Sequence, residues 1–283
     1  MKKIAFFGTP AFTVDFLDSL KNAGLTPSAI ITNPDRPVGR GMHIESPAPK
    51  HWGDYEHIPV YQPERITPEY IEQLQKEHFD LFVVVAYGKI LPEALIQLPT
   101  YGTINVHYSL LPKYRGATPV ESAILHGDAV TGIAIQQMVY ELDAGDIIAQ
   151  QELAIAPDDT TGSLRAKLNT LAVAILPQTI QDIFLHNTHP IPQDTRHISK
   201  TKKITKEHGE INLDDDPIEL DRKYRAYFGW PGLYFYTKKE GITKRVKIVE
   251  AHFVGGNFII DTVIPENGKR ISFTDFQKMQ EQE

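Results

Sequence analysis

The sequence predicts an α/β fold: a doubly wound, mostly parallel sheet over residues 1–185 and, after a linker at 186–205, a smaller β-rich unit at 206–283. Three observations lead there. Short apolar runs alternate with segments of helical periodicity along the first part of the chain, the pattern of strand–helix–strand units. Val83-Val84-Val85 is apolar without alternation, as an interior strand covered on both faces requires. Beyond residue 205, one helical stretch is followed by strand-like runs.

Residues 3–7 read as a short buried strand. Gly8-Thr9-Pro10 then turns the chain, Pro10 suiting a first helical turn, and Phe12, Phe16, Leu17 and Leu20 recur at helical spacing up to Gly24. A second strand follows at 28–32. Val60, 71–76 and 81–86 give strand, helix and strand, and 103–108 and 119–126 a further strand and helix. Residues 132–139 and 147–153 look like paired strands, and 160–184 carries the longest helical pattern. The segment 186–205 is polar, contains Pro190 and Pro192 and lacks periodicity, as a linker does. Residues 214–228 read as a helix with Asp214-Asp215-Asp216 at its amino end, and 232–236, 245–253 and 257–263 as strands.

With 283 residues, 41% hydrophobic and 23% charged, the chain can bury a substantial core without covalent staples. It contains no cysteine, which excludes disulfides, thiolate metal sites, iron–sulfur clusters and a cysteine nucleophile, and fits a reducing compartment. Lys2-Lys3 precede an apolar run that stops at Gly8, too short for a signal peptide, and no run reaches the length of a membrane span; a cytoplasmic protein is expected. The formal net charge of −7 argues against general affinity for nucleic acid but leaves room for a local basic patch. His186 and His189 have no third ligand in sight, so no metal site is expected.

Alternate side chains of a strand share a face, so Asn105 and His107 point the same way, near the carboxyl end where open α/β sheets hold ligands. An amide that donates to a developing oxyanion, beside an imidazole that moves protons, suits acyl transfer. The two are equally readable as an amide satisfying a loop and a buried histidine with a partner, and spacing alone favours that plainer reading. Leu142-Asp143-Ala144-Gly145-Asp146 follows the strand ending at 139, Gly145 permitting a tight turn. A carboxylate here could bond His107, fix its tautomer and hold it protonated. An Asp-Gly surface turn is also common, and residue chemistry does not choose between Asp143 and Asp146.

Asn105-Val106-His107, followed by Ser109-Leu110-Leu111-Pro112-Lys113-Tyr114-Arg115-Gly116 and later by Leu142-Asp143-Ala144-Gly145, resembles the signature of the folate-dependent formyltransferases. The resemblance implies a Rossmann-like catalytic domain, a small C-terminal β-barrel-like domain (reduced here, since few residues remain after Thr205) and 10-formyltetrahydrofolate as co-substrate. It implies a catalytic trio of Asn105, His107 and Asp143. It also implies folate contacts along Ser109, Leu110, Leu111 and Pro112, and a pterin pocket around Tyr87, Gly88, Lys89 and Ile90.

Within that family, residues 32–41, with Ser46-Pro47 and Lys50, Gly8-Thr9-Pro10 and Arg115-Gly116-Ala117-Thr118-Pro119, resemble the branch whose acceptor is methionyl-tRNA. The loop after the second strand would then enter the acceptor end of the tRNA. Arg36, Arg40 and Lys50 on this Gly/Pro-rich excursion suit phosphate and base-edge contacts, and a long irregular loop in a compact domain is more often functional than idle. The branch commonly carries lysines just after Gly41, where this chain has Met42 and His43. Lys200, Lys202, Lys203 and Lys206, with Tyr224, Tyr227, Trp230, Tyr234 and Tyr236 among the basic residues further on, also suit tRNA. Lysines are nonetheless ordinary in a solvated connector, and aromatics in a small β unit are more often its core. The expected partners are methionyl-tRNA and reduced folate, with no membrane, the chain acting as a monomer. Three rivals remain: a sugar-nucleotide N-formyltransferase with the same trio, a hydrolase that deformylates the same folate, and a non-catalytic RNA-binding module. The loop and the basic segment favour tRNA over the first two, and the intact trio speaks against the third.

Overall fold

The apolar runs of the first part become the strands of one seven-stranded sheet. These are β1 (Ile4–Gly8), β2 (Ala29–Ile31), β5 (Val60–Tyr61), β6 (Leu81–Val85), β7 (Thr103–His107), β8 (Val130–Gln137) and β9 (Ile147–Ala154), in the order β5-β2-β1-β6-β7-β8-β9. The first five in that order run parallel, and β8 is antiparallel to β7. All five residues of β1 and of β6 are buried, the environment anticipated from their unbroken apolar runs. The sequence moves from β1 out to β2 and β5 and returns to β6 on the other side of β1, so the strand order reverses between β1 and β6. A crevice opens at the carboxyl ends of strands at such a point. Phe7, Phe79, Phe82 and Tyr87 pack in one core cluster, with Phe82 5.0 Å from Phe7 and 5.6 Å from Phe79 between ring centroids.

The computed structural model describes residues 2–39, 41–239 and 241–281. It forms two units. One comprises Met1–Arg115, Gly132–Leu153 and Lys167–Lys200, the other Gly116–Thr131, Ala154–Ala166 and Thr201–Glu283. Helices α1 (Val14–Asn22), α2 (Ala48–Tyr55), α3 (Pro68–Gln75) and α4 (Glu93–Ile96) belong to the first. Helix α5 (Pro119–His126) lies in the second, and α6 (Thr161–Phe184) contributes to both, continuing past Pro177.

Several elements were hidden in the sequence, among them a hairpin and a helix beside the first strands. The excursion expected to be irregular contains a hairpin, β3 (Arg36–Val38) against β4 (His43–Glu45). Pro34, Pro37, Gly39 and Gly41 mask its strand character, but backbone pairing at three register positions forms it regardless. Helix α2 carries Pro49 and Gly53, which lower its propensity. Tertiary packing overrides that: Trp52 is buried with its Nε1 donating to Asp18 Oδ1 at 2.7 Å, and a Cβ on Gly53 would stand 2.5 Å from Val60 Cγ2.

The segment after α6 belongs to the first unit as far as Lys200. Ile191 and Ile147 exchange backbone hydrogen bonds of 2.9 Å, and Arg115 bridges in parallel to Lys200. In the second unit, α7 (Pro217–Ala226) is capped by Asp216, whose side chain accepts from the N–H groups of Ile218 and Glu219. An antiparallel sheet follows in the order β10 (Tyr234–Lys239), β11 (Ile242–Val254), β12 (Asn257–Pro265), β13 (Ile271–Ser272), and α8 (Phe273–Glu281) sets Phe273 and Phe276 against Phe235. Among the described residues no helix is long and apolar enough to cross a membrane.

Phe82 is fully buried between two aromatic neighbours, so Phe82→Ala leaves a cavity in the core. The expected cost is about 3–5 kcal/mol of stability, measured as a lowered urea midpoint at unchanged slope.

Candidate active site

Strand β7 presents Asn105 and His107 on one face, and antiparallel β8 sets Gln136 directly opposite Asn105. Residues opposed across an antiparallel pair share a face, so the Gln136 amide joins the other two. The chain after β8 turns back, Gln137 N–H donating to the Asp146 carbonyl at 2.9 Å, and this fold of the loop carries Asp143 over the sheet. Its Oδ1 stands 3.7 Å from His107 Nδ1, with the imidazole buried and the carboxylate side chain 10% exposed. Of the two aspartates between which residue chemistry could not choose, Asp143 is the one beside the imidazole.

The other imidazole nitrogen, Nε2, lies 3.0 Å from the Tyr114 carbonyl. A carbonyl only accepts, so Nε2 carries a proton. Nδ1 then faces a carboxylate. At 3.7 Å the two are not directly hydrogen-bonded, but a proton on Nδ1 would face the carboxylate with favourable charge, whereas the neutral Nε2–H form turns a lone pair toward a negative oxygen.

Two non-glycine residues hold left-handed backbone to make this arrangement: Tyr114 with φ +60° and Asp143 with φ +51°. Such conformations cost roughly 1–3 kcal/mol each and persist only where the surroundings over-determine them. For Asp143 those surroundings are explicit. Gln136 Nε2 donates to its Oδ1 at 3.0 Å. Gln193 Nε2 donates to the carbonyls of Asp143 at 2.9 Å and Gly145 at 2.7 Å. Arg115, itself buried, donates to Gln193 Oε1 through Nε at 3.0 Å and Nη2 at 2.8 Å. Gly145 has no room for a side chain, because a Cβ would sit 1.6 Å from the Gln137 carbonyl oxygen.

Gln136, Gln193, Ser199 and the Tyr114 carbonyl were not singled out from the sequence. Gln136 had a signal, a polar residue ending the apolar run Ile133-Ala134-Ile135. Gln193 and Ser199 had none.

The residues that the resemblance tied to folate lie around two loops. Ser109 is buried, its Oγ donating to the Lys113 carbonyl at 2.6 Å, and Leu111 is buried, while Leu110 and Pro112 are half-buried. The Tyr87 ring is buried in the core cluster, so its loop presents exposed Gly88 and the Ile90 side chain, which is 83% exposed. Burial raises the Tyr87 phenol to about 12, keeping it neutral. Lys89 Nζ donates to the carbonyls of Pro63 and Glu64. Three apolar side chains ahead of Asp143 are also solvent-exposed: Val139, Tyr140 and Leu142.

Of the residues tied to tRNA, Arg36 pairs with Glu64 at 2.8 Å, both exposed. Lys50 donates to Asp35 at 2.8 Å. Hydrogen bonds from Gln62 and then Lys50 hold the Asp35 carboxyl down at about 2, so Lys50 keeps an ionised partner. Lys200 Nζ lies 3.8 Å from Glu141. Lys202, Lys203 and Lys206 are exposed. Arg40 lies outside the described residues.

Residues 2–180 match the family described as formyl transferase, and residues 203–275 match its C-terminal domain. This chain belongs to the formyl transferase family. It is 38% identical over 263 residues to the methionyl-tRNA formyltransferase of Myxococcus xanthus, covering 93% of this chain and 83% of that protein. To the methionyl-tRNA formyltransferase of Halalkalibacterium halodurans it is 42% identical over 233 residues, covering 82% and 74%. Among solved structures, a sugar N-formyltransferase from a Shewanella species superposes with TM-score 0.68 at 18% identity, covering 90% of this chain and 99% of that one. At that identity the likeness is one of fold alone.

For this formyl transferase, Gly145→Ala must displace the backbone at 143–146, since the obstructing atom is a main-chain oxygen. The expected result is loss of most turnover with the protein still folded, read from kcat beside a circular-dichroism melt.

Proposed function

We propose that the protein transfers the formyl group of 10-formyltetrahydrofolate to the α-amine of methionyl-tRNA, giving formylmethionyl-tRNA for translation initiation. The observation that carries the chemistry is the placement of Asp143 beside His107 on the face shared with Asn105. The names of relatives at 38–42% identity support the acceptor. Exposed Ile90, Val139, Tyr140 and Leu142 suit a flat, partly apolar ligand such as a pterin. On this reading the protein works in the cytoplasm as a monomer.

The amine nitrogen attacks the formyl carbon, a C–N bond forms, and the carbonyl electron pair moves onto oxygen. The Asn105 amide donates a hydrogen bond to that developing charge, and the neighbouring His107, protonated, stabilises it by its positive charge. Asp143 keeps the imidazolium in place and takes part, through water, in moving the proton that the amine loses. Collapse returns the electron pair to the carbonyl and breaks the bond to the folate nitrogen, which leaves as the protonated amine. Each oxyanion donor in such chemistry contributes about 10²–10³ in rate. Asn105→Ala and His107→Ala should each lower kcat by about that factor, with Asp146→Ala far milder than Asp143→Ala.

The deciding assay offers the purified protein 10-formyltetrahydrofolate with methionyl-tRNA, free methionine or an amino-sugar nucleotide. Formylation of methionyl-tRNA in preference to the other two is expected. Preference for the amino-sugar nucleotide would replace this reading with the sugar-nucleotide one, and formate release without an acceptor would replace it with hydrolysis.

Lys200, Lys202, Lys203 and Lys206 are exposed and close enough in sequence to follow one phosphate strand. Replacing all four with Ala should weaken tRNA binding and flatten its salt dependence, each lost duplex phosphate contact removing about 0.9 from the slope of log K against log[salt]. An unchanged slope in a titration from low to high salt would remove these lysines from recognition.

A further inference from the structure

The two groups that flank the His107 imidazole, the Tyr114 carbonyl and the Asp143 carboxylate, come from two different loops. Both loops adopt left-handed backbone at a non-glycine residue, and both are tied to one stretch of chain, residues 191–199. Ile191 fixes the start of this stretch to Ile147 by two backbone hydrogen bonds of 2.9 Å. Two residues later, Gln193 donates to the Asp143 and Gly145 carbonyls, while its own oxygen is gripped by Arg115. At the far end, Ser199 Oγ accepts from the Tyr114 N–H at 2.8 Å, and the Ser199 carbonyl accepts from the Arg115 N–H at 2.9 Å. Ser199 N–H in turn donates to the Pro112 carbonyl at 3.3 Å.

We infer that residues 191–199 form a positioning strap for the catalytic pair, with Gln193 setting Asp143 and Ser199 setting the Tyr114 carbonyl against the two nitrogens of His107. The inference rests on the reading of Asn105, His107 and Asp143 as the catalytic groups. Neither Gln193 nor Ser199 touches the imidazole; each acts through a backbone. The physical need is plain. The Asp143 Oδ1–His107 Nδ1 separation is 3.7 Å, longer than a direct hydrogen bond, so a small shift of either loop moves the carboxylate out of reach or into contact. Left-handed Asp143 and Tyr114 would relax toward ordinary backbone if released. Arg115 gives the device a rigid base: its side chain is buried, its two donors converge on one oxygen of Gln193, and its own N–H is bonded to the strap. The orientation of the Gln193 amide follows from these partners, since only its nitrogen can serve two carbonyls and only its oxygen can serve a guanidinium.

Gln193→Glu separates positioning from packing. It keeps the size and an acceptor for Arg115 but replaces the donor that faces two carbonyls. Kinetics are measured with both substrates in the parent protein and in an Asp143→Asn background. Misplacement of a catalytic group by a fraction of an ångström to an ångström costs about tenfold to a hundredfold, so Gln193→Glu should lower kcat by that range while both KM values stay within about twofold. In the Asp143→Asn background the same substitution should have little further effect, because the carboxylate it positions is gone. A full multiplicative loss in that background, or an unchanged kcat in the parent, would overturn the inference. If Gln193→Glu does not fold, Ser199 carries the test: Ser199→Ala should lower kcat, and Ser199→Thr, which keeps the hydroxyl, should restore it. Equal rates for Ser199→Ala and the parent would overturn the strap. Should the parent itself formylate no amine at all, the proposed function fails, a result distinct from any of these.

Discussion

The imidazole of His107 sits between two acceptors, the Tyr114 carbonyl at 3.0 Å and the Asp143 carboxylate at 3.7 Å. The rest of the first unit can be understood as the means of keeping that sandwich closed. A buried imidazolium without compensating charge is costly, and a buried carboxylate equally so; together, each lowers the cost of the other. Neither can be positioned by its own strand alone. His107 is the last residue of β7, and Asp143 is on a loop whose backbone must be held in a conformation it would not choose.

The sheet solves the first half of this problem. Five parallel strands carry Asn105 and His107 to the carboxyl edge, and the antiparallel β8 then brings the chain back down so that Gln136 lies opposite Asn105 and the following loop folds over the same face. Had β8 run parallel, that loop would leave from the other end of the strand. The polar residue inside β8 is thus accounted for: Gln136 is buried because its amide holds the Asp143 carboxylate. The absence of a side chain at Gly145 is the other half of the same packing, a main-chain oxygen occupying the place where a Cβ would be.

The surfaces proposed for the substrates follow a different logic, since on that proposal they exchange partners. The Arg36–Glu64 pair is exposed and contributes little to stability, so under the proposed function a phosphate would replace the carboxylate at small cost. Lys50 is more committed, its partner Asp35 being kept ionised by Gln62 as well. Exposed Tyr140 and Leu142 gain nothing from their position in the free protein, and lie immediately before the residue that completes the site.

Much of this was legible in the amino-acid sequence. Burial on both faces leaves an unbroken apolar run, so β1 and β6 could be read, and amphipathic spacing announced α1 and α6. Asn105 and His107 could be set on one face because strand periodicity is two. The signature around them named the family before any geometry was known. The β3–β4 hairpin and α2 were not readable, because prolines and glycines hide elements that tertiary packing then enforces. Nor could the sequence choose Asp143 over Asp146 by chemistry, or find Gln193 and Ser199 in a polar, aperiodic stretch. Local sequence determines periodicity, which gives the elements and the faces of their side chains. Which carboxylate meets the imidazole, and which remote amide holds it there, depends on how residues far apart in the chain close on one another, and only the tertiary structure decided that.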